Sequence, residues 1–204
     1  MSYTQPVRLD LFEPLTARSP AGEKREFIGI GGSARLTTEQ EEWAAKLARR
    51  RSENCEAKDV PGDDAIPRTV EDRRRDRYQG AAAEILAAEC LGMNYRALYD
   101  DTNGEDVGPV MVRSTYHKAG CLILKPGDRR RFGDRPWLLV TGTAPDMWIV
   151  GWIMGRDGWG LRRPPPPRCG RQQDAWIYQD DLRSVPDLCD RLEWRRGVWS
   201  FVDR

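Results

Sequence analysis

The chain has 204 residues, of which 39% are hydrophobic and 32% are charged, and its formal net charge is +1. This composition is typical of a globular protein with a heavily charged surface, and it excludes an intrinsically disordered chain. No apolar run of about 18 residues occurs, which excludes a transmembrane helix. Residues 1–10 lack the apolar segment of a signal or transit peptide, so we expect a cytoplasmic location and no membrane partner.

The N-terminal third is predicted to contain an arm and one helix. Residues 1–36 are rich in proline and glycine and are predicted to be irregular, apart from a short strand at Glu26–Ile30. A helix with a thin apolar stripe is predicted over residues 37–53, followed by a loop over residues 55–68. We expect Arg49–Arg51 near the end of this helix, where cations offset the negative end of the helix dipole.

The middle of the chain is predicted to form a second helix and then strands. The helix covers residues 70–91 and is followed by Gly92, a common residue after a helix end. Four strands follow, at Val107–Ser114, Cys121–Lys125, Trp137–Gly142 and Met147–Met154. The last two are almost continuously apolar, as is typical of strands covered on both faces. Turns are predicted at residues 125–128 and 144–146.

The C-terminal part is predicted to be an extension packed on the core. Residues 164–167 are four prolines, which indicate a stiff surface excursion. Residues 174–204 have the pattern of two or three short strands or turns. The expected organisation is an N-terminal arm over residues 1–36, a core over residues 37–160 and an extension over residues 161–204.

Charge is distributed unevenly along the chain. Residues 113–204 contain 17 Lys and Arg against 11 Asp and Glu, whereas residues 1–112 contain the remaining 16 against 21, so the two parts carry +6 and −5. The basic residues of the second part are nearly all arginine, whose planar guanidinium suits phosphate. This favours a nucleic-acid partner; the alternative is an ordinary solvated surface in an arginine-rich protein.

Glu84 lies among small residues of the second predicted helix. Its helical neighbours are Gly80, Ala81, Ala87 and Ala88, which form a face able to pack closely on a sheet. The helix alone favours a glutamate at the edge of this face, pointing outward into solvent. The alternative is a carboxylate that the helix carries toward the sheet.

Asp106 and Arg113 frame the first strand predicted after this helix. Asp106 follows a glycine-containing turn, where aspartate is common for reasons of turn geometry alone. The alternation along the strand places Met111 and Arg113 on one face. An arginine buried at the end of a strand needs an acidic partner, which a nearby carboxylate would supply.

The order of helix glutamate, strand aspartate and strand-end basic residue resembles the core of the PD-(D/E)xK nucleases, in particular their phage-encoded members. The matching stretches, within residues 77–157, are Arg77-Tyr78-Gln79-Gly80-Ala81-Ala82-Ala83-Glu84, Asp106-Val107-Gly108, Val112-Arg113-Ser114-Thr115, Leu122-Ile123-Leu124, Asp128, Trp137-Leu138-Leu139-Val140 and Val150-Gly151-Trp152-Ile153. The resemblance implies an α/β fold with a restriction-endonuclease-like core, a mixed central sheet flanked by helices. It also implies metal-dependent hydrolysis of DNA, in the host cytoplasm if the protein is phage-encoded.

The resemblance assigns roles by position. Glu84 and Asp106 match the carboxylates that hold Mg²⁺ or Mn²⁺, and Arg113 takes the catalytic place usually held by lysine. Met111 stands where a further strand acid is usual, and a thioether does not bind Mg²⁺. Arginine stays protonated, so it can bind phosphate but cannot act as a base. Candidates for a third metal ligand are Asp100, Asp101 and Glu105.

Polar and basic residues that follow these motifs are candidate contacts to nucleic-acid phosphates. They are Thr115, His117, Lys118, Arg129, Arg130 and Arg131. The arginine triplet is expected on a turn, and each of these residues has the alternative of an ordinary solvated loop position. Trp159 is expected to be an exposed base-stacking residue, whereas the tryptophans at 137, 148 and 152 are expected in the core.

Three functions stay open at this point. The first is a DNA nuclease. The second is a catalytically inactive nuclease-fold protein that binds nucleic acid or a host or phage protein, for example as a counter-defence factor; Met111 favours it. The third is an interaction protein unrelated to nucleic acid. The sequence contains no P-loop, dinucleotide fingerprint or Gly-x-Ser-x-Gly elbow, which excludes the enzyme classes that depend on them.

Overall fold

The structure is a computed structural model that describes residues 16–18, 24–26, 33–57, 69–96, 106–161, 163, 173–195 and 198–203. The strands in these ranges are β1 (Thr16–Arg18), β2 (Lys24–Glu26), β3 (Ser33–Arg35), β4 (Met111–Thr115), β5 (Leu122–Leu124), β6 (Pro136–Thr143), β7 (Asp146–Met154), β8 (Ala175–Ile177), β9 (Leu192–Arg195) and β10 (Val198–Phe201). The helices are α1 (Thr38–Ala57), α2 (Val70–Cys90), α3 (Pro126–Phe132), α4 (Gly155–Leu161) and α5 (Val185–Asp190).

A mixed four-stranded sheet with the order β3-β7-β6-β4 forms the centre of the described structure. β4 runs parallel to β6, while β6 and β7 are antiparallel and so are β7 and β3. β3 belongs to the segment expected to be an irregular arm, and it adds an edge strand to the sheet. The prediction of an α/β fold with a mixed sheet flanked by helices is confirmed at this level.

Both faces of the sheet are covered, as the apolar runs of β6 and β7 predict. Leu138 and Val140 of β6 pack into a core cluster with the small residues of α2. Trp137 and Leu139, which alternate with them, pack into a second cluster with β5, β8 and the half-buried Trp159 of α4. This two-sided alternation confirms that these strands lie between two layers.

The start of β4 differs from the prediction. The strand begins at Met111 and not at Val107, because Val107 and Val110 hydrogen-bond to each other's backbone in a tight turn. Gly108 in this turn has a φ of 52°, a conformation that residues with a Cβ rarely adopt. A Cβ at this position would also lie 3.2 Å from the sulfur of Met93.

Two other details of the prediction are wrong, namely the end of α1 and the turn at residues 125–128. α1 continues to Ala57, so Arg49–Arg51 lies inside the helix and not in its last turn. The predicted turn at residues 125–128 is instead the start of α3, where Pro126 occupies the first turn and Asp128 accepts a hydrogen bond from the backbone of Lys125 at 2.9 Å. Proline and an acidic cap suit the first turn of a helix as well as they suit a turn.

Most of the remaining elements follow the predicted pattern where they are described, but the short helices α4 and α5 are not among the predicted elements. α2 matches its predicted bounds to within one residue and is capped by Thr69 and Asp72. The C-terminal residues form β8, which pairs with β5, and the β9–β10 hairpin. β2 overlaps only the first residue of the strand predicted at 26–30. The rest of that strand, most of the 55–68 loop and the proline run lie outside the described residues.

None of the described helices has both the length and the apolar character needed to cross a bilayer.

Candidate functional site

Glu84 is buried, contrary to the solvent-facing position that its helix alone favours. The residue is only 6% exposed. Each of its carboxylate oxygens accepts a hydrogen bond from the guanidinium of Arg51, and both N–O distances are 2.6 Å. The small residues around Glu84 on α2 are buried as well, so α1 and the sheet approach the helix closely and shield the carboxylate from water.

Arg51 was missed as a site residue because its sequence position suggested a role at a helix end. Its spacing carried a different signal. Ala44, Leu47 and Ala48 are buried, and Arg51 continues their stripe at the next position of the same helical face. A charged residue that extends an apolar stripe is aimed at the neighbouring helix, where it requires an acidic partner. Glu84 is that partner.

Asp106 is held at the entrance to β4 by the turn around Gly108. One of its carboxylate oxygens accepts a hydrogen bond from the backbone N–H of Val112 at 2.8 Å. Burial raises the pKa of Asp106, against the opposing effects of that hydrogen bond and of the charge of Arg113. Asp106 is therefore a positioned carboxylate and not only a turn residue.

The charge of Asp106 acts on the buried carboxylate of Glu84. Burial is the largest effect and raises the pKa of Glu84 to about 7, although the hydrogen bonds from Arg51 lower it. The charge of Asp106 raises the pKa of Glu84 further, and the charge of Arg113 lowers it. The structure thus brings together Glu84, Asp106 and Arg113, which lie far apart in the sequence.

Arg113 finds its acidic partner on α3. Its guanidinium donates to Asp128 at 3.1 Å and lies 4.7 Å from the ring centre of Trp137. Asp128 is thus the residue that directs Arg113, a role that the sequence interpretation did not assign to it. The five charged side chains of the site are three carboxylates and two guanidinium groups, so their formal charges sum to −1. They are Glu84, Asp106, Asp128, Arg51 and Arg113.

Met111 does not face a ligand site. The residue is 3% exposed and belongs to the second core cluster, together with Leu122, Leu124 and Trp137. The position that resembles that of a strand acid is therefore part of an apolar core. No metal ligand is available from it.

Replacing Met111 with glutamate should destabilise the fold by more than about 2 kcal/mol, because the new carboxylate would be buried in the apolar cluster that Met111 fills. Met111→Leu is the matched control and should cost less than about 1.5 kcal/mol, since it conserves apolar volume. Urea unfolding of both variants measures the difference. A glutamate variant as stable as the leucine variant would show that this side chain can leave the apolar cluster and reach solvent or a cation.

Glu84 and Asp106 fit one hard divalent cation better than a larger metal cluster. No group of three or more His, Cys, Asp or Glu side chains in the described part of the chain could hold a metal, and the candidates Asp100, Asp101 and Glu105 lie outside it. The charge of Asp106 raises the pKa of Glu84, so a cation held by these two carboxylates would relieve their repulsion, with water completing its coordination shell.

The end of β4 and the loop that follows it carry three of the predicted phosphate contacts. His117 and Lys118 are exposed, and Thr115 accepts a hydrogen bond from the backbone of His117 at 3.4 Å. The hydroxyl of Tyr116 donates to Asp76 of α2 at 2.9 Å, and the amide of Gln179 donates to the carbonyl of Lys118 at 2.7 Å. These hydrogen bonds hold the loop on two sides, while His117 and Lys118 are exposed to solvent.

The arginine triplet lies on α3, which differs from the predicted turn. Arg129, Arg130 and Arg131 are all exposed, and they follow Asp128, the partner of Arg113. The structure therefore places the triplet on an element that contacts the site. In the part of the chain that the structure describes, no hydrogen bond or ion pair joins the triplet to Thr115, His117 or Lys118.

Two expectations about tryptophan are wrong. Trp159 is half-buried in α4, with its indole nitrogen shielded from solvent, so it does not present an exposed stacking surface. Trp148 is not in the core but half-buried, and the ammonium of Lys118 lies 4.1 Å from its ring centre. Trp137 and Trp152 are fully buried, as expected.

Comparison of the chain with protein-family models, curated proteins and solved structures gives no match. The function of the chain is therefore inferred from the residues of this site and from their geometry.

Proposed function

We propose that the chain is a cytoplasmic, metal-dependent nuclease of the PD-(D/E)xK type that hydrolyses DNA phosphodiesters, with a restriction-endonuclease-like core. The observation that carries the proposal is the meeting of Glu84 from α2, Asp106 at the start of β4 and Arg113 on β4 in one shielded group. A helix acid, a strand acid and a basic strand residue occur there in the order that characterises this family. A purely structural ion pair would need only two of these groups.

Glu84 and Asp106 would hold one Mg²⁺ or Mn²⁺ ion through their carboxylate oxygens. Bound there, the ion would polarise the scissile phosphate and make a nearby water molecule more acidic. Arg113 is permanently charged, so its contribution is to bind and orient a phosphate oxygen. Asp128 supports this role because it accepts from one side of the guanidinium and leaves other N–H groups for the substrate.

Exposed basic residues near the site would contact the DNA backbone. These are Lys118, Arg129, Arg130 and Arg131, with Thr115 and His117 as further donors. Contacts to phosphates release condensed counterions from DNA, so the affinity should fall as salt concentration rises. Such contacts determine where the duplex lies and carry little base specificity.

A cleavage assay tests the proposal. Purified protein is incubated with linear, circular and single-stranded DNA in Mg²⁺ and then Mn²⁺, with EDTA as the metal-free control. We expect cleavage of at least one substrate that requires the metal and is lost in Asp106→Asn, because an amide is a poorer donor to a hard cation. Circular dichroism establishes that the variant is folded. Cleavage that persists in Asp106→Asn, or in EDTA, would refute the assigned site.

A nuclease-fold protein that binds without cutting is the second candidate. Two observations favour it: Arg51 already occupies both oxygens of Glu84, and Met111 is buried in the apolar cluster. In this case the folded protein would cut no DNA in any metal, yet would bind DNA in a salt-sensitive manner. Absence of DNA binding as well would direct the search to a host or phage protein partner.

A further inference from the structure

Arg51 and a divalent ion at the proposed site would require the same atoms. Arg51 donates to Oε1 and to Oε2 of Glu84, each at 2.6 Å, and these oxygens are the donors that Glu84 would give to a cation. A carboxylate that makes two short hydrogen bonds to a guanidinium has its strongest acceptor directions occupied. Guanidinium and ion therefore compete for Glu84.

The two partners of this ion pair differ in how easily they can move. The side chain of Arg51 is 36% exposed, whereas that of Glu84 is 7% exposed. Arg51 reaches the carboxylate from α1 through a flexible stem, so its charged end can turn into water while the helix stays packed through Ala44, Leu47 and Ala48. Glu84 is enclosed on α2 and has no comparable route to solvent.

The charges of the site indicate why the exchange is favourable. With Arg51 in place, three carboxylates face two guanidinium groups, a formal sum of −1. When Arg51 leaves, Glu84, Asp106 and Asp128 face only Arg113, and the sum becomes −2. A divalent cation neutralises the formal charge of −2, whereas the site with Arg51 in place has a formal charge of only −1.

We propose that Arg51 is a tethered counter-cation that occupies Glu84 when no divalent ion is bound, and that metal binding must displace it. The inference depends on the proposed function in one respect, that Glu84 and Asp106 are the metal donors. It adds a positioning residue from α1, and it makes the affinity for metal a property of that helix as well as of the two carboxylates.

The test is the affinity for Mn²⁺ alone, measured by isothermal titration calorimetry without DNA at low ionic strength. Arg51→Gln removes the competing charge, so we expect it to bind Mn²⁺ about tenfold more tightly than the wild type, within the usual range of coupling between two ligands of one protein. Arg51→Lys should lie between the two, because a single ammonium cannot donate to both oxygens in the fixed geometry of a guanidinium.

Arg49→Gln is the matched control, because it makes the same change of charge at an exposed position two residues away on α1. Its Mn²⁺ affinity should equal that of the wild type. Affinity of Arg51→Gln equal to or weaker than that of the wild type would overturn the inference, and so would absence of Mn²⁺ binding in every variant. If Arg51→Gln does not fold, Arg51→Lys decides, and an unchanged affinity in that variant overturns the inference.

The outcome is independent of cleavage. If Arg51→Gln binds Mn²⁺ more tightly but the wild type cuts no DNA, the inference holds and the proposed hydrolysis fails. If the wild type cuts DNA but Arg51→Gln gains no affinity, the proposed function holds and Arg51 serves only as a structural partner of Glu84.

Discussion

Replacing Glu84 with glutamine should slow metal-dependent DNA cleavage by about a hundredfold or more. Glutamine has nearly the same shape and can still accept a hydrogen bond from Arg51, but it has no negative charge to give to a cation. Electrostatic stabilisation by a bound metal contributes several kcal/mol to a transition state, and each 1.4 kcal/mol or so corresponds to a factor of ten in rate. The initial cleavage rate on a substrate that the wild type cuts measures the effect.

Glu89→Gln is the matched control for this experiment. Glu89 lies on the same helix but is exposed, so its replacement makes the same chemical change outside the site and should leave the rate within about twofold, as is usual for surface substitutions. Cleavage by Glu84→Gln at the wild-type rate, with unfolding behaviour like that of the control, would mean that Glu84 holds no metal and that any catalytic centre lies elsewhere.

Replacing Arg51 with alanine should destabilise the folded protein by about 2–3 kcal/mol near neutral pH. Removing one partner of a buried ion pair leaves the other as an uncompensated charge, which costs about 3–5 kcal/mol for a fully buried pair. The loss expected for Arg51→Ala is smaller than that of a fully buried pair, because the side chain of Arg51 is 36% exposed and solvent screens part of the interaction. Urea unfolding gives the free energy directly.

The destabilisation by Arg51→Ala should depend on pH in a defined direction. Burial raises the pKa of Glu84 in the wild type from 4.5 to about 7. A carboxyl with a raised pKa binds protons in the folded state before the unfolded state does. The stability that the folded protein gains from proton binding by Glu84 is therefore fully present below about pH 4.5, and it is lost as the pH rises through 7. Without Arg51 the pKa of Glu84 should rise further, so the variant should lose stability most above pH 7 and least in acid.

A double variant provides the control for this prediction. In Arg51→Ala combined with Glu84→Gln no carboxylate is left unpaired, so the extra instability at high pH should largely disappear. Arg49→Ala should show only a small, pH-independent change, because Arg49 is exposed. A loss of stability in Arg51→Ala that is the same at pH 5 and pH 8, or one no larger than that of Arg49→Ala, would contradict the electrostatic account of this pair.

Local chemistry was sufficient to predict the elements in which neighbouring residues determine the structure. α2 begins after the Thr69 cap and ends before Gly92 because its cap, its small residues and its C-terminal glycine lie within the segment itself. β6 and β7 are buried on both faces because their side chains are apolar at odd and even positions alike. Glu84, Asp106 and Arg113 were predicted from the sequence as candidate site residues, since their order along the chain resembles that of a known family.

Only the tertiary structure decided which charge meets which. Arg113 pairs with Asp128 and not with Glu84, because α3 brings Asp128 next to the end of β4. Glu84 pairs with Arg51, which is 33 residues away along the chain, because α1 packs against α2 with its apolar stripe facing inward. A helical repeat indicates that Arg51 faces inward but does not reveal what lies opposite. The sequence by itself therefore determined the two long helices, the central strands and the candidate acids, whereas long-range packing decided how their charges are compensated, because burial and ion pairing depend on contacts between distant segments.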